Sequence, residues 1–225
     1  MNPKKLLNPM NPKKLLMLIC LFSGIWLGGT PAKAQTQELR LPDSPQTQTI
    51  EQERDWSEVV INSQDLPPEF QGMPAEDLAE LKQELRKEDF SVETVFAFME
   101  FDNFELLFGV TTPLENQQEQ NDFEAILAEP EVLRELVTDG MGAAQILEQN
   151  PLEELENIGE AVAGVTLKLN LEGVPANLDI VAFRRDVIGA FVFLLYLDGQ
   201  TPRMPIANLA RTLDDRAQGI LATPN

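Results

Sequence analysis

Histidine is absent from all 225 residues, and the chain has one cysteine, one tyrosine and two tryptophans. Without histidine there is no Ser-His or Cys-His catalytic pair, no histidine zinc site and no histidine acid–base chemistry. The 43% of hydrophobic residues is typical of a folded domain. The sequence therefore excludes the commonest catalytic machinery, and it predicts a protein that is not an enzyme and has no cofactor.

The first 34 residues have the pattern of a cleavable export signal. Lysines precede an apolar stretch from Leu15 to Gly29. This stretch is shorter than the roughly 20 residues that cross a bilayer. Ala32 and Ala34 then occupy the small-residue positions of a signal-peptidase site, so we predict cleavage between Ala34 and Gln35.

Three features of this segment leave alternatives open. The opening Met1–Leu7 repeats as Met10–Leu16, so either methionine is a candidate start. An uncleaved signal would be a membrane anchor, although its apolar stretch is short for that role. Cys20 would allow a lipoprotein, but the bulky Ile19 stands where a lipidated cysteine needs a small residue. Cleavage after Ala34 removes Cys20 and leaves a chain that forms no disulfide.

Acidic residues dominate the chain after the signal. The signal holds five of the 17 basic residues and none of the 37 acidic ones, so 12 basic residues face 37 acidic ones and the net charge is near −25. Nucleic acids and anionic lipids both select basic surfaces. We therefore expect no nucleic-acid binding and no stable membrane insertion after cleavage. Cationic partners, divalent cations and simple solubility in the periplasm, in the thylakoid lumen or outside the cell remain open.

Composition divides the chain into four segments. These are the signal at 1–34, a linker at 35–54, a single domain at 55–221 and a loose tail at 222–225. The linker is polar and poor in large apolar residues, which predicts disorder.

The pattern of apolar residues predicts the elements of the domain. Leu78, Leu81 and Leu85 recur at helical spacing, whereas Val165 to Leu171 alternates as a strand does. In chain order the predicted elements are a strand at 56–61, a helix at 74–87, a hairpin at 95–111 that turns at Asp102–Asn103, a polar loop at 117–121, a helix from 123 that restarts at Pro130 and stops at Asp139–Gly140, helical turns at 143–147 and 151–158, strands at 165–171, 178–184 and 187–197, and a helix from 205.

This order predicts an α+β fold, in which an antiparallel sheet of five to six strands carries helices packed on it. The long apolar runs at 178–184 and 187–197 predict central strands that are covered on both faces. Ile206, Leu209, Ala210 and Leu213 are expected on the inner face of the last helix.

Two segments resemble PsbP-like domains. The opening from Val60 through Leu66-Pro67-Pro68-Glu69-Phe70 is similar to the P-x-G-F entry of that family, with Glu69 in place of the glycine. The run Asp179–Arg185, with Ala207–Ala210 and Leu213–Asp214, is similar to the last hairpin and helix of such domains and of uncharacterised exported proteins of cyanobacterial type. The resemblance implies an α/β sandwich of the lumen or periplasm that binds photosynthetic membrane complexes or has no known role. It brings no catalytic motif.

Arg184 and Arg185 are a basic pair in a strongly acidic chain, next to a predicted turn. Because the guanidinium fork matches carboxylates and phosphates, the pair is a candidate partner contact. The alternative is a surface salt bridge to nearby acids.

Aromatic residues crowd the two predicted hairpins, and Phe101 and Phe183 are among them. An apolar pocket for a lipid or pigment and an ordinary core are both open interpretations. The candidate pocket residues are Phe96, Phe98, Phe104, Phe108, Phe191, Phe193 and Tyr196.

Three functions from different classes follow. The first is a non-enzymatic interaction module that docks to a membrane protein complex. The second is a carrier of a small apolar ligand, based on the aromatic residues. The third is a hydrolase that uses carboxylates alone, for which Asp214–Asp215 and Glu153–Glu154 are candidate pairs, as they are for calcium. Neighbouring acids on a helix point apart, so a solvated surface is the simpler interpretation of both pairs.

Overall fold

The computed structural model describes residues 55–87, 91–129, 131–134, 145–171 and 173–223. The predicted signal, its cleavage site, the linker and the helix stop at Asp139–Gly140 lie outside these residues.

Within these described residues, seven strands form one antiparallel sheet in the order β1-β2-β3-β7-β6-β5-β4. Two meanders, β1–β2–β3 and β4–β5–β6–β7, meet where β3 pairs with β7. The α+β architecture is confirmed, but the prediction of five to six strands was wrong because both edge strands were missed. The strands are β1 Gln71–Gly72, β2 Thr94–Glu100, β3 Glu105–Pro113, β4 Gln145–Pro151, β5 Ala161–Leu171, β6 Val174–Arg185 and β7 Ile188–Leu197.

Helices cover both faces of the sheet. Helices α1 (Ala75–Lys87) and α2 (Gln117–Ala128) and a helical turn at 131–134 pack on one face, which we call the α1–α2 face. Helix α3 (Ile206–Ala222) and the segment 55–70 pack on the opposite α3 face. None of the helices in the described ranges combines the length and the apolar composition needed to cross a bilayer.

The alternation of side chains along each strand builds two separate cores. On the α1–α2 face, Phe108 of β3, Phe193 of β7 and Ile180 of β6 are neighbours in register. On the α3 face, the same three strands contribute Leu107, Leu194 and Val181, all of which are buried. The predicted covering of β6 and β7 on both faces is therefore confirmed.

The predicted strand at Trp56–Ile61 was wrong. Trp56–Glu58 is a 3-10 turn, which Asp55 caps by accepting from the Ser57 N–H at 2.9 Å. The Val59 carbonyl accepts from Thr94 Oγ1 at 3.0 Å and the Val60 carbonyl accepts from Arg216. Because side chains satisfy these carbonyls, the segment can bury its apolar residues without backbone pairing to a neighbouring strand.

The predicted loop at Gln117–Asn121 was also wrong, since these residues are the first turns of α2. Asn116 caps the helix by accepting from the Glu119 N–H at 3.0 Å, and Glu119 reaches back to the Glu115 N–H at 2.7 Å. An Asn followed three residues later by Glu is a helix-start signal that outweighs local polarity. Phe123 and Leu127 are buried on the inner side of this helix.

Helical turns were predicted at 143–147 and 151–158, but the described part of this region contains β4 and an irregular segment. Glu154, Asn157 and Gly159 have φ between 62° and 66°, which a helix does not allow. Local sequence favoured helix here, and pairing with β5 decided for strand.

The C-terminal half follows the sequence more closely. Strands β6 and β7 are joined at Asp186, which has a φ of 52°, close to the predicted turn. Ile206, Leu209, Ala210 and Leu213 are all buried under α3 as predicted.

Gly109 provides a test of packing on the α3 face. It lies opposite Phe96 in the β2–β3 register, and a Cβ at this position would be 2.1 Å from the Phe96 ring. We expect Gly109→Ala to lower the free energy of unfolding by about 1–3 kcal/mol, because the ring must move in a packed core. In helix α3, Gly219→Ala meets nothing within 4 Å and should raise stability by about 0.5–1 kcal/mol. Urea unfolding of both variants measures these two changes in the free energy of unfolding. Equal changes would contradict the packing argument.

Candidate functional site

Arg184 lies at the end of β6 and forms ion pairs with two different segments. Its guanidinium is 2.6 Å from the Glu124 carboxylate of α2 and 2.7 Å from the Glu160 carboxylate before β5. It also donates to the Asp186 carbonyl at 2.8 Å. Arg184 therefore connects the β6–β7 turn to the α1–α2 layer.

Arg185 points to the α3 face of the sheet and forms a bidentate ion pair with Asp214 of α3. Its Nε and Nη2 donate to the two carboxylate oxygens at 2.7 and 2.6 Å. The Asp214 side chain is only 2% exposed, and Gln218 donates to it at 2.9 Å. The hydrogen bonds that Arg185 donates to Asp214 are the main cause of a raised pKa at Arg185.

The two candidate arginines thus bind acids of their own chain. These contacts agree with the alternative of salt bridges within the chain. The Arg185 pair differs from a surface salt bridge in that Asp214 is buried. Adjacent strand residues point to opposite faces, so one arginine secures each helical layer. Contact with a partner stays a prediction for this pair.

The candidate aromatic residues lie on both faces of the sheet and do not line one surface. Phe108 and Phe191 are buried on the α1–α2 face, where Phe104 and Phe193 are partly buried. Phe96 and Phe98 are buried on the α3 face, with Tyr196 partly buried there.

On the α1–α2 face the aromatic rings touch one another. The ring centroids are 5.6 Å apart for Phe108 and Phe193, 6.4 Å for Phe191 and Phe193, and 5.2 Å for Phe123 and Phe191. These separations are typical of aromatic packing within a core. These contacts fit an ordinary core, and the carrier function stays a prediction.

Asp179 is a buried carboxylate that sequence analysis did not single out as a titrating group. It is 6% exposed on β6, accepts from Thr166 Oγ1 at 2.6 Å, and lies 3.4 Å from the Tyr196 hydroxyl. Burial raises the pKa of Asp179, and the two hydroxyls oppose that effect only in part. Burial and the nearby Asp179 charge also raise the pKa of Tyr196.

The turn between β2 and β3, residues 101–104, is held by buried polar contacts, and we call it the hairpin tip. Glu100 is 1% exposed, and its carboxylate accepts from the Asp102 N–H at 2.8 Å and the Asn103 N–H at 2.7 Å. Phe104 closes the turn at a φ of 58°, which is unusual for so bulky a residue. Such backbone strain persists only where surrounding contacts hold it.

Arg203 secures the hairpin tip from the β7–α3 loop. Its backbone N–H donates to both oxygens of the Glu105 carboxylate at 3.2 and 3.1 Å, and its Nε lies 3.9 Å from Glu100. The Asn103 amide, oriented with its oxygen toward the guanidinium, accepts from Arg203 at 3.0 and 3.1 Å. Burial is the main cause of a raised pKa at Glu105, and the Glu100 charge adds to it.

Phe101 projects from the hairpin tip with 54% of its surface exposed. The sequence predicts the turn, and it places Phe101 among the aromatic residues of the hairpin. Alternation does not indicate which turn residue faces water. The signal that was available is the run Glu100-Phe101-Asp102-Asn103, in which one aromatic residue stands among polar turn residues.

The carboxylate pairs do not converge on a metal site. Asp214 is bound to Arg185 while Asp215 is exposed, and Glu153 and Glu154 are exposed in the irregular segment. Within the ranges that the structure describes, no three acidic or thiol side chains are grouped to hold a metal ion.

Comparison with known proteins gives no family. No family model matches the chain, and no curated protein matches it significantly. The PsbP-like resemblance therefore stays a prediction from residue pattern.

Asp214→Asn should lower the free energy of unfolding by roughly 3 kcal/mol, because it leaves Arg185 without its buried counter-charge. Asp215→Asn at the neighbouring exposed position is the matched control and should change stability by less than about 0.5 kcal/mol. Chemical denaturation at neutral pH checks both variants. Equal losses would show that general charge, not the pair, is responsible.

Asp179→Asn should change how stability depends on pH. The folded-state pKa of Asp179 is raised, so the folded state binds the proton more tightly than the unfolded state does. Stability from this group is therefore fully present below the unfolded pKa and is lost as pH rises through the folded pKa. Asn stays neutral and should remove that loss. The stability of the variant, measured relative to the wild type, should therefore be higher at pH 7 than at pH 4. Thermal unfolding across this range decides, and parallel curves would contradict the assignment.

Proposed function

We propose that this chain is an exported interaction module, which docks to a protein complex through the hairpin tip. The single observation that carries the proposal is a half-exposed Phe101 on a turn that two buried carboxylates and Arg203 hold in place. A large apolar side chain in water is unfavourable, and a fixed turn loses little entropy on binding. Both properties are typical of a binding anchor.

Burying acids to hold a surface turn is costly for the fold. Glu100 and Glu105 are each 1% exposed and lie opposite one another in the β2–β3 register. Like charges in such positions destabilise a hairpin unless a cation offsets them, and Arg203 supplies that charge. A simple connection between two strands does not require this arrangement. The buried acids are therefore explained if binding requires this conformation of the turn.

The partner expected at the hairpin tip is a protein with an apolar pocket surrounded by basic residues. The pocket accommodates the Phe101 ring, and the basic residues complement an acidic chain whose net charge is −20 even with the signal included. The charge predicts faster association at low salt. Export to the periplasm or the lumen, which the signal pattern predicts, would place such a partner at a membrane complex.

Phe101→Ser should weaken capture of the partner by about 30-fold, the effect of losing an aromatic hot spot of about 2 kcal/mol. Phe101→Leu keeps an apolar side chain and is the matched control, so it should retain most of the binding. The assay is affinity capture from the membrane fraction of the native cell at low salt, with mass spectrometry to identify what is retained.

Both variants should keep the unfolding midpoint of the wild type, because Phe101 is half-exposed in the folded chain. Equal capture by wild type and Phe101→Ser would overturn the role of the hairpin tip. A lipid or pigment that adds mass to the protein in native mass spectrometry, and that is lost when the protein is denatured, would favour the carrier function instead.

A further inference from the structure

Strand β4 is the longer of the two edge strands in the described part of the sheet. It pairs with β5, and no second strand lies against its outer side in the part of the chain that the structure describes. The opposite edge, β1, has two residues, whereas β4 has seven. A strand at the edge of a sheet presents unpaired N–H and C=O groups, and these are a template for another extended chain.

The outward backbone groups of β4 follow from one hydrogen bond. The Leu152 N–H donates to the Gly164 carbonyl of β5 at 3.0 Å, so it points inward. N–H groups alternate along an antiparallel strand, which places the Asn150 N–H inward and the Gln149 N–H outward. Pro151 occupies the next outward position, where a missing N–H costs no ladder bond.

A bulge adds an apolar contact beside this edge. The register with β5 shifts between Ile146 and Glu148, so Leu147 is the extra residue. Its side chain is 51% exposed. Bulges at sheet edges re-aim a side chain, and here the re-aimed side chain is a leucine facing water.

The charge around β4 selects the occupant. Glu148 lies on the strand, and Glu153, Glu154 and Glu156 follow it as exposed residues. The facing Lys168 of β5 is already 3.4 Å from Asp198. A second copy of this chain would bring further acidic residues to the same edge and meet repulsion, whereas a segment with lysine or arginine would be attracted.

We propose that β4 accepts an extended, basic segment of a protein partner as an eighth strand of the sheet. The Gln149 N–H donates to the incoming backbone, Leu147 contacts the aliphatic parts of its side chains, and the surrounding glutamates attract its basic groups. This site is separate from the hairpin tip, because five strand spacings of the sheet, roughly 24 Å, lie between β2 and β4. It therefore does not depend on the function proposed for Phe101.

The test uses a fluorescent ten-residue peptide of alternating threonine and lysine and protein purified after expression of the full-length chain. Anisotropy should show binding that weakens with salt. Gln149→Pro removes the outward N–H and should weaken binding at least tenfold, while Gln149→Ala keeps that N–H and should bind like wild type. The same peptide with alternate backbone nitrogens methylated should bind at least tenfold more weakly, since its charge is unchanged and its donors are blocked.

Hydrogen exchange gives a readout that general attraction between charges does not affect. The Gln149 amide should exchange more slowly when the peptide is bound, and amides of β1 should not change. Far-ultraviolet circular dichroism establishes that Gln149→Pro is folded, and Leu147→Ser offers a second variant if it is not.

Three results would overturn the proposal. The first is equal binding of a matched threonine–glutamate peptide, and the second is equal binding of the methylated peptide. The third is a concentration-dependent dimer that Gln149→Pro abolishes, since this would assign the edge to a second copy of the chain.

Discussion

The burial of both faces of the central strands is the constraint on which the rest of this structure depends. Strands β3, β7 and β6 place large apolar residues alternately on each side, and nearly all of them are shielded from water. A sheet of this kind is unstable until both faces are covered. The chain meets this requirement with α1 and α2 on one face and with α3 and the segment 55–70 on the other.

Polar contacts at the two ends of the sheet connect it to these covering layers. At one end, Arg184 and Arg185 connect the β6–β7 turn to α2 and to α3. At the other end, the backbone of Arg203 connects the β7–α3 loop to Glu105. Buried ion pairs add little net stability, but a misplaced helix would leave an unpaired buried charge. We infer that these groups favour one packing arrangement over its alternatives.

Sequence patterns succeeded where one physical cause dominated. The inner face of α3 and strand β5 follow from strict periodicity, and β6 and β7 follow from long apolar runs, because burial there outweighs other local preferences. Gln117–Asn121 is helical although its polarity predicts a loop, because the Asn116 cap and Glu119 outweigh local polarity. Strand β4 and the turn at Trp56 carried no decisive local signal. Pairing with β5 defined the first, and side chains from distant segments satisfied the second.

The sequence by itself determined the class of fold, the two-sided burial of the central strands, the acidic charge and the absence of histidine chemistry. These properties depend on composition and on periods of two and 3.6 residues, which are read along the chain. Tertiary structure alone decided that Arg185 meets Asp214, that Glu100 and Arg203 hold the hairpin tip, and that Phe101 and Leu147 face water. These outcomes depend on contacts between residues far apart in sequence, and no local pattern encodes which distant residue will become a neighbour.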